Sequence, residues 1–283
     1  MQITNKYNLP EAIVSAIHAF QYNYTASKTG EEKFTVSELL KPAYQRYLQK
    51  KHFAQITEDA SERIWALMGQ AMHAVLNNQN VDNSLSEERL RAVIDNVIIS
   101  GQIDMYKDGI IDDYKFCSTW KYIFHDYEEF EKQLNIYAYL CRTTGLPVNE
   151  IRAILVFNNW SLEEADRKSA YPQEPIKVIP LNLWDNETTL EFIRERITAH
   201  QHPHICNESE RWSKQTKYAV MKNKNKSAKS LCNSLSEAEI YIENLNDTKN
   251  KYRIDIRPGV DKRCNKYCNV KNFCSYYLGK NKE

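Results

Sequence analysis

The chain has 283 residues, and its 38 Lys and Arg against 37 Asp and Glu leave a net charge of +1, which excludes a whole-protein basic field; any contact with nucleic acid must use local patches. With 42% hydrophobic residues and no apolar run near the length of a membrane span, it reads as a soluble protein without a membrane partner, and its N-terminus lacks the charged-then-apolar order of a signal peptide. Seven cysteines, an odd number, point to a reducing, cytoplasmic setting in which thiols are free or hold metal. The Asn- and Lys-rich composition fits a bacterial cell or a phage-encoded protein.

Residues 1–34 read as a short helix over 10–22 and a polar loop. Residues 35–42 open a second helix, with Ser37 in position to cap it. A basic helix over 44–52 suits a solvated face or a phosphate contact. The span 58–78 is an amphipathic helix, with Ile64, Leu67, Met68, Ala71, Met72, Val75 and Leu76 as its core stripe. His73 lies beside that stripe, and Gly69 one turn earlier on the same side. A glycine inside a helix costs about 1 kcal/mol relative to alanine. Gly69 is therefore expected to admit close approach of another element, the hairpin that follows.

Residues 87–95 read as a strand leading into the hairpin of 97–116, where the chemistry centres. Asp108-Gly109 is a strong two-residue turn signal. Counting outward, Lys107 faces Ile110, Tyr106 faces Ile111, Asp104 faces Asp113 and Gln102 faces Lys115. Strand alternation then puts Gln102, Asp104, Asp113 and Lys115 on one face. Carboxylates set opposite each other repel, and a cation between them relieves this. Mg²⁺ or Mn²⁺ takes carboxylate oxygens and keeps positions for water and phosphate. Lys115 adds a positive charge beside that ion, the arrangement of a metal-dependent phosphodiesterase. The same side chains also suit a merely solvated surface hairpin, and a D-x-K triplet alone does not separate the two. A helix over 126–144 follows, with Gln133 and Tyr137 one turn apart on one face. Strands over 151–158 and 175–183 and a helix over 186–200 complete this region.

The composition changes near residue 201. Residues 211–229 hold seven Lys or Arg and no acid, with a short hairpin (218–221 and 228–231) around the basic run 222–226. A helix over 236–245 has Ser236 as cap and Glu239 completing a capping box, and 252–257 is a strand. This is an appendage whose basic loop suits backbone phosphates or solvent. The tail carries Cys264, Cys268 and Cys274 among Tyr267, Phe273 and Tyr276. Structural metal sites usually take four such ligands. Cys206 is the choice for the fourth and Cys232 the alternative, around Zn²⁺ or a 4Fe–4S cluster; three buried thiols are the plain reading.

Four signals follow one another in order: G-x-x-x-H from Gly69 to His73, G-Q-I-D ending at Asp104, D-D-Y-K supplying Asp113 and Lys115, and Q-x-x-x-Y at Gln133 and Tyr137. The ordered set resembles the PD-(D/E)XK nuclease superfamily and, within it, the RecB-like exonucleases, to which phage recombination and CRISPR-adaptation nucleases are related. The resemblance covers about residues 35–160 and extends less closely to the C-terminal cysteines.

The resemblance implies an α/β fold, a mixed central sheet flanked by helices (a restriction-endonuclease-like core), with a small C-terminal α+β appendage containing cysteines. The expected domains are 1–34, an N-terminal helix and loop; 35–200, the nuclease core; and 201–283, the appendage. His73, Asp104, Asp113 and the backbone carbonyl of Tyr114 would bind the divalent ion. Lys115 would be catalytic together with Asp104 and Asp113, while Gln133 and Tyr137 would place the substrate strand. Asp113 stands where many relatives have Glu. In the iron–sulfur branch one cysteine precedes the nuclease motifs, whereas the first here is Cys117. A cluster must take its fourth ligand from Cys206 or Cys232, or be absent. The implied activity is metal-dependent DNA hydrolysis by an exonuclease at single- or double-stranded ends, beside recombination or replication proteins. Two rivals are a catalytically inactive nuclease-fold scaffold that binds DNA, against which the filled catalytic positions speak, and a thiol–metal interaction module starting near residue 201.

Overall fold

The computed structural model describes residues 1–19, 33–77, 82–247 and 251–280. The chain divides into two compact units, Met1–His204 and Ile205–Glu283.

The first unit opens with β1 (Gln2–Thr4), α1 (Glu11–Ala19), β2 (Lys33–Thr35), α2 (Val36–Leu40), α3 (Ala43–Lys51) and β3 (Thr57–Asp59). Of the helix expected over 10–22, the end beyond residue 19 lies outside the described residues. Ser37 does not cap α2. The Thr35 hydroxyl accepts from the Glu38 N–H, and the Glu38 carboxylate accepts from the Thr35 N–H, so a T-x-x-E box sets the start.

α4 (Ile64–Asn77) begins at Ile64 rather than at residue 58, because β3 and a 3-10 turn over Ala60–Arg63 occupy the stretch before it. Its apolar stripe is not a core stripe. None of its described side chains is buried, and Trp65, Met68 and Val75 are 63%, 47% and 64% exposed. Helical spacing decides which face is apolar; it does not supply a neighbour to cover that face. A Cβ added at Gly69 meets nothing within 4 Å, so the close approach expected there does not occur.

The next strands are β4 (Ser84–Ser86), β5 (Arg89–Ile94), β6 (Val97–Gln102), β7 (Met105–Lys107) and β8 (Ile110–Cys117). The turns at Asp95-Asn96 (φ 49° and 63°) and Asp108-Gly109 (φ 50° and 84°) have positive φ at both positions, as a type I′ turn requires. The second hairpin runs in the expected register from Lys107↔Ile110 to Met105↔Asp112. It does not reach Gln102 and Lys115. The expected strand of 97–107 parts after Gln102: β6 pairs with β5 and β2, whereas β7 pairs with β8 and β4. The strand expected over 87–95 parts opposite, between Ser86 and Arg89. Across the gap the first hairpin keeps one register, Arg89↔Gln102 on one side and Ser86↔Met105 on the other. Glu87 therefore stands opposite Asp104, and the N–H of Ile103 and of Glu87 bond to Glu88 O (3.0 Å) and Asp104 O (3.2 Å).

The unit ends with α5 (Thr119–Ile123), α6 (Glu128–Thr143), β9 (Glu150–Phe157), α7 (Leu162–Arg167), β10 (Ile176–Pro180) and α8 (Asn186–Gln201). β9 lies parallel to β8 and antiparallel to β10, giving a mixed five-stranded sheet in the order β10-β9-β8-β7-β4. α6 packs Leu134, Ile136, Ala138, Leu140 and Cys141 into a core with Ile99, Ile103, Ile111, Ile151 and Ile193. Buried Asn135 is satisfied, donating to Glu131 O and Asn182 O and accepting from Trp184 N–H, so it pins the chain before α8 to α6. α8 is tied to α2 by buried His200, whose Nε2 donates to Leu39 O at 2.9 Å. The fold is thus α/β, mixed sheets flanked by helices.

The second unit comprises α9 (Glu208–Arg211), β11 (Ser213–Lys214), β12 (Lys217–Lys222), β13 (Ala228–Cys232), α10 (Leu235–Asn244), β14 (Tyr252–Arg257), β15 (Val260–Asp261), α11 (Lys262–Lys266) and α12 (Ser275–Lys280). Its sheet runs β13-β12-β14, and Ala238 of α10 packs on Val220 and Cys232. The cap of α10 is Ser234, accepting from Glu237 N–H at 3.1 Å, not Ser236 with Glu239. Two S-x-x-E patterns overlap there, and the earlier one forms the cap. Buried Asp261 accepts from Ser213, from Tyr276 at 3.0 Å and from Lys280 at 2.8 Å. Although burial pulls its carboxyl upward, those bonds hold it down at about 2.

Candidate metal centre

The gap in the first hairpin makes the site. A chain leaving one ladder for another exposes backbone groups that need partners. Asp104 stands at that point, and its Oδ2 accepts the Tyr114 N–H at 2.7 Å, in effect replacing a ladder bond. Its Oδ1 lies 3.5 Å from His73 Nδ1. Glu87 Oε1 lies 3.9 Å from the same nitrogen. Among the described residues, His73, Glu87 and Asp104 form the one group of three His, Cys, Asp or Glu ligands within 4.8 Å of one another. Glu87 is the residue the motif pattern did not single out. The signal was present: counting outward from Asp95-Asn96, as from Asp108-Gly109, sets Glu87 against Asp104.

Asp113 sits on β8 on the other flank of Asp104, 1% exposed. Its Oδ2 is ion-paired with Lys115 Nζ, and no directed hydrogen bond reaches that buried oxygen. Lys115 Nζ also donates to Gln133 Oε1 at 2.8 Å, and Gln133 Nε2 to the Tyr137 hydroxyl at 2.9 Å. The i, i+4 spacing on α6 thus places both residues in one relay behind the lysine. Gly101 makes room for it: a Cβ there falls 2.6 Å from Tyr137 Cε1. The expected partner of Lys115, Gln102, is instead turned to Glu87 and Arg89. On the opposite face of β8, Asp112 is spent on a two-bond pair with Arg152 at 2.6 Å.

Burial, then the charge of Asp113, pushes the Asp104 carboxyl up to about 8, with Glu87 adding to the rise. Burial and Asp113 likewise push Tyr137 well above its ordinary range, so it stays a neutral phenol. This is a site with more negative charge than its own cations offset. One nitrogen and the carboxylate oxygens of Glu87 and Asp104, both in the break of the first hairpin, are donors suited to a hard or borderline divalent ion, and their spacing fits one; Asp113 lies outside that group of three. The donor set and its unbalanced charge fit Mg²⁺ or Mn²⁺.

The thiols of Cys206, Cys264, Cys268 and Cys274 lie in the second unit and sense one another. Burial, then Glu210 and the other three thiols, pushes Cys206 up to about 12. Burial and neighbouring thiols also raise Cys264 and Cys268. Cys232 is buried in the sheet core against Val220 and Ala238. No three thiols stand within 4.8 Å of one another among the described residues. A tetrahedral zinc with bonds of about 2.3 Å needs its sulfurs closer than that, so the thiols as placed do not fit a single zinc ion.

No protein-family model matches the chain, and no curated protein matches it. Among solved structures it is similar to one described as SSO0001, at 15% identity and a TM-score of 0.46 over 71% of this chain and 87% of that one. It is also similar to a phage-related exonuclease from Haemophilus somnus 129PT, at 17% identity and a TM-score of 0.30 over 68% of this chain and 78% of that one. Both TM-scores lie below 0.5, and the functional argument rests on the geometry of the site. No helix among the described residues is long and apolar enough to cross a membrane.

Proposed function

We propose that the protein is a divalent-metal-dependent DNA nuclease with a restriction-endonuclease-like core, acting as an exonuclease on DNA ends. The observation that carries this reading is the group His73, Glu87 and Asp104 at the break of the first hairpin, with Asp113 and the Lys115–Gln133–Tyr137 relay beside it on β8 and α6. His73, Asp104, Asp113 and the Tyr114 carbonyl would hold Mg²⁺ or Mn²⁺. When bound, the ion supplies Lewis acidity toward a phosphate oxygen and lowers the pKa of water. Lys115 keeps a positive charge where the pentavalent phosphorus gathers negative charge, and orients the attacking water. Gln133 fixes the direction of the ammonium, and Tyr137 fixes Gln133. The water oxygen adds to phosphorus in line with the departing deoxyribose oxygen, the P–O bond to that oxygen breaks, and the proton the water gives up to solvent is matched by one the leaving oxygen takes from solvent.

Two features support a nucleic acid as the substrate, and the resemblance to DNA nucleases favours DNA. Trp120 and Phe124 stack on each other at 5.4 Å, exposed by 57% and 70%, just beyond the strand that carries Lys115. Exposed aromatic faces take unpaired bases. The end of β12 and the loop to β13 carry Lys222, Lys224 and Lys226, suited to backbone phosphates. In the second unit, Cys206, Cys264, Cys268 and Cys274 would bind a 4Fe–4S cluster, which spreads its thiolates wider than one ion does. Iron content and visible absorption of anaerobically prepared protein test that assignment.

The deciding experiment is cleavage of end-labelled linear and closed circular DNA, single- and double-stranded, with Mg²⁺, Mn²⁺ or EDTA, beside Lys115→Ala. Metal-dependent loss of linear DNA alone, absent in the variant, supports the exonuclease. Cutting of circles makes the same site an endonuclease. Retained DNA binding without any cutting replaces the reading with a DNA-binding scaffold.

A further inference from the structure

We infer that Glu87 is itself a ligand of the divalent ion and that Gln102 and Arg89 are its positioning residues; this rests on the metal-centre reading above and adds an acid outside the motif pattern. Three observations converge on it. Glu87 Oε1 belongs to the same 4.8 Å group as His73 and Asp104, reached from the gap between β4 and β5. Its other oxygen is already committed. Gln102 Nε2 donates to Glu87 Oε2, and Arg89 Nη2 donates to Gln102 Oε1 at 2.6 Å, which fixes which end of the amide meets the carboxylate. One oxygen is tethered and the other is turned to His73, as outer hydrogen bonds orient the ligands of a metal site.

The backbone adds the third observation. Glu87 has φ 53°, in the left-handed region. That conformation favours Gly or Asn, and a residue held there without that advantage persists where its surroundings over-determine it. A turn needing only the backbone would be served better by either. Glutamate at this position keeps a long carboxylate directed at His73. Beyond Asp104, the buried Asp113 Oδ2 is ion-paired with Lys115, so that lysine's charge is taken up on the opposite side.

The site then has two flanks about a shared Asp104: His73 with Glu87, and Asp113 with Lys115. Glu87→Gln keeps the shape and removes the charge. Glu87→Asn suits the backbone and withdraws the carboxylate. The test titrates Mn²⁺ into the metal-free full chain by calorimetry, with Mn²⁺ electron paramagnetic resonance as a second readout and thermal melting without metal as the folding control. We expect both variants to weaken Mn²⁺ binding on the order of 10–100-fold, and Gln102→Ala by about 10-fold, while metal-free Glu87→Asn melts at or above the wild type. Wild-type Mn²⁺ affinity in both Glu87 variants overturns the inference, as does a wild type that binds no Mn²⁺. Cleavage is scored separately. DNA cutting with unaltered Mn²⁺ binding in the variants rejects Glu87 and leaves the nuclease standing. Loss of Mn²⁺ binding in a protein that cuts no DNA does the reverse.

Discussion

Two helices deliver side chains to the same site, and they are built differently. α6 sinks Leu134, Ile136, Tyr137, Ala138, Leu140 and Cys141 into the largest core, and the relay it carries inherits that rigidity. α4 carries His73, yet none of its described side chains is buried. Both sequences show apolar residues at helical spacing, so periodicity does not tell them apart. The difference lies in what each faces: α6 packs on the strands it crosses, whereas α4 touches β8 without burying its stripe. The lesson concerns division of labour. The relay of Gln133 and Tyr137 behind Lys115 is held by packing, while His73 sits on a lightly held element, and local stability differs between such regions.

The largest effects are expected at the α6 flank. Lys115→Ala should reduce cleavage on the order of 10³-fold with DNA binding retained, measured by single-turnover kinetics beside filter binding. His73→Ala should act differently, raising the Mn²⁺ concentration for half-maximal activity by about 10-fold or more, with activity returning at high Mn²⁺. If both variants respond alike to added Mn²⁺, the contrast between the two flanks is wrong.

Much of this is legible in the sequence. Asp108-Gly109 dictates a type I′ turn, so the facing of Tyr106 and Ile111 followed by counting. Gln133 and Tyr137 fell on one helical face by spacing alone. Other features were not legible, for definite reasons. The strand of 97–107 changes partners at Ile103 and Asp104, and only the competing claims of β2, β5, β4 and β8 on its hydrogen bonds decide where. Gln102 therefore went to Glu87 instead of Lys115. Glu87 is marked only by the Asp95-Asn96 turn, a weaker signal than Asp108-Gly109, which sets it opposite Asp104. The exposure of α4 could not be read, since composition marks a helix face as apolar whether or not a neighbour covers it.

Packing predictions follow at intermediate size. Gly101→Ala should cost about 1–3 kcal/mol by overpacking, because its Cβ meets Tyr137 at 2.6 Å. It should also lower cleavage, since displacing Tyr137 releases Gln133; Tyr137→Phe in the same background tests whether the two effects share one cause. His200 gives a pH-dependent test of the α2–α8 contact. Burial first, against the bond to Leu39, holds it down at about 4 from 6.5. Between those values the unfolded chain binds more protons than the fold, so stability rises with pH. Unfolding free energy should fall as pH drops from about 6.5 to about 4, by about 1.4 kcal/mol per pH unit, read as falling thermal midpoints. His200→Gln should flatten that slope.

The smallest effect discriminates most finely between the two helices. Gly69 lies in α4, with nothing within 4 Å of an added Cβ and no positive φ. Alanine there should stabilise the fold by about 0.5–1 kcal/mol, because it removes backbone entropy from the unfolded chain and exposes no clash. Its sign is opposite to that of Gly101→Ala, although both glycines fall in motifs that precede an acid or a histidine of the site. A chemical-denaturation midpoint that moves upward with unchanged slope would show that α4 runs uncovered past its glycine. A destabilised Gly69→Ala would mean that something closes on α4 at that turn. In that case DNA or a partner segment would be the first thing to add to the titration, since a helix that carries His73 beside a bare apolar face has reason to be covered when the proposed site is in use.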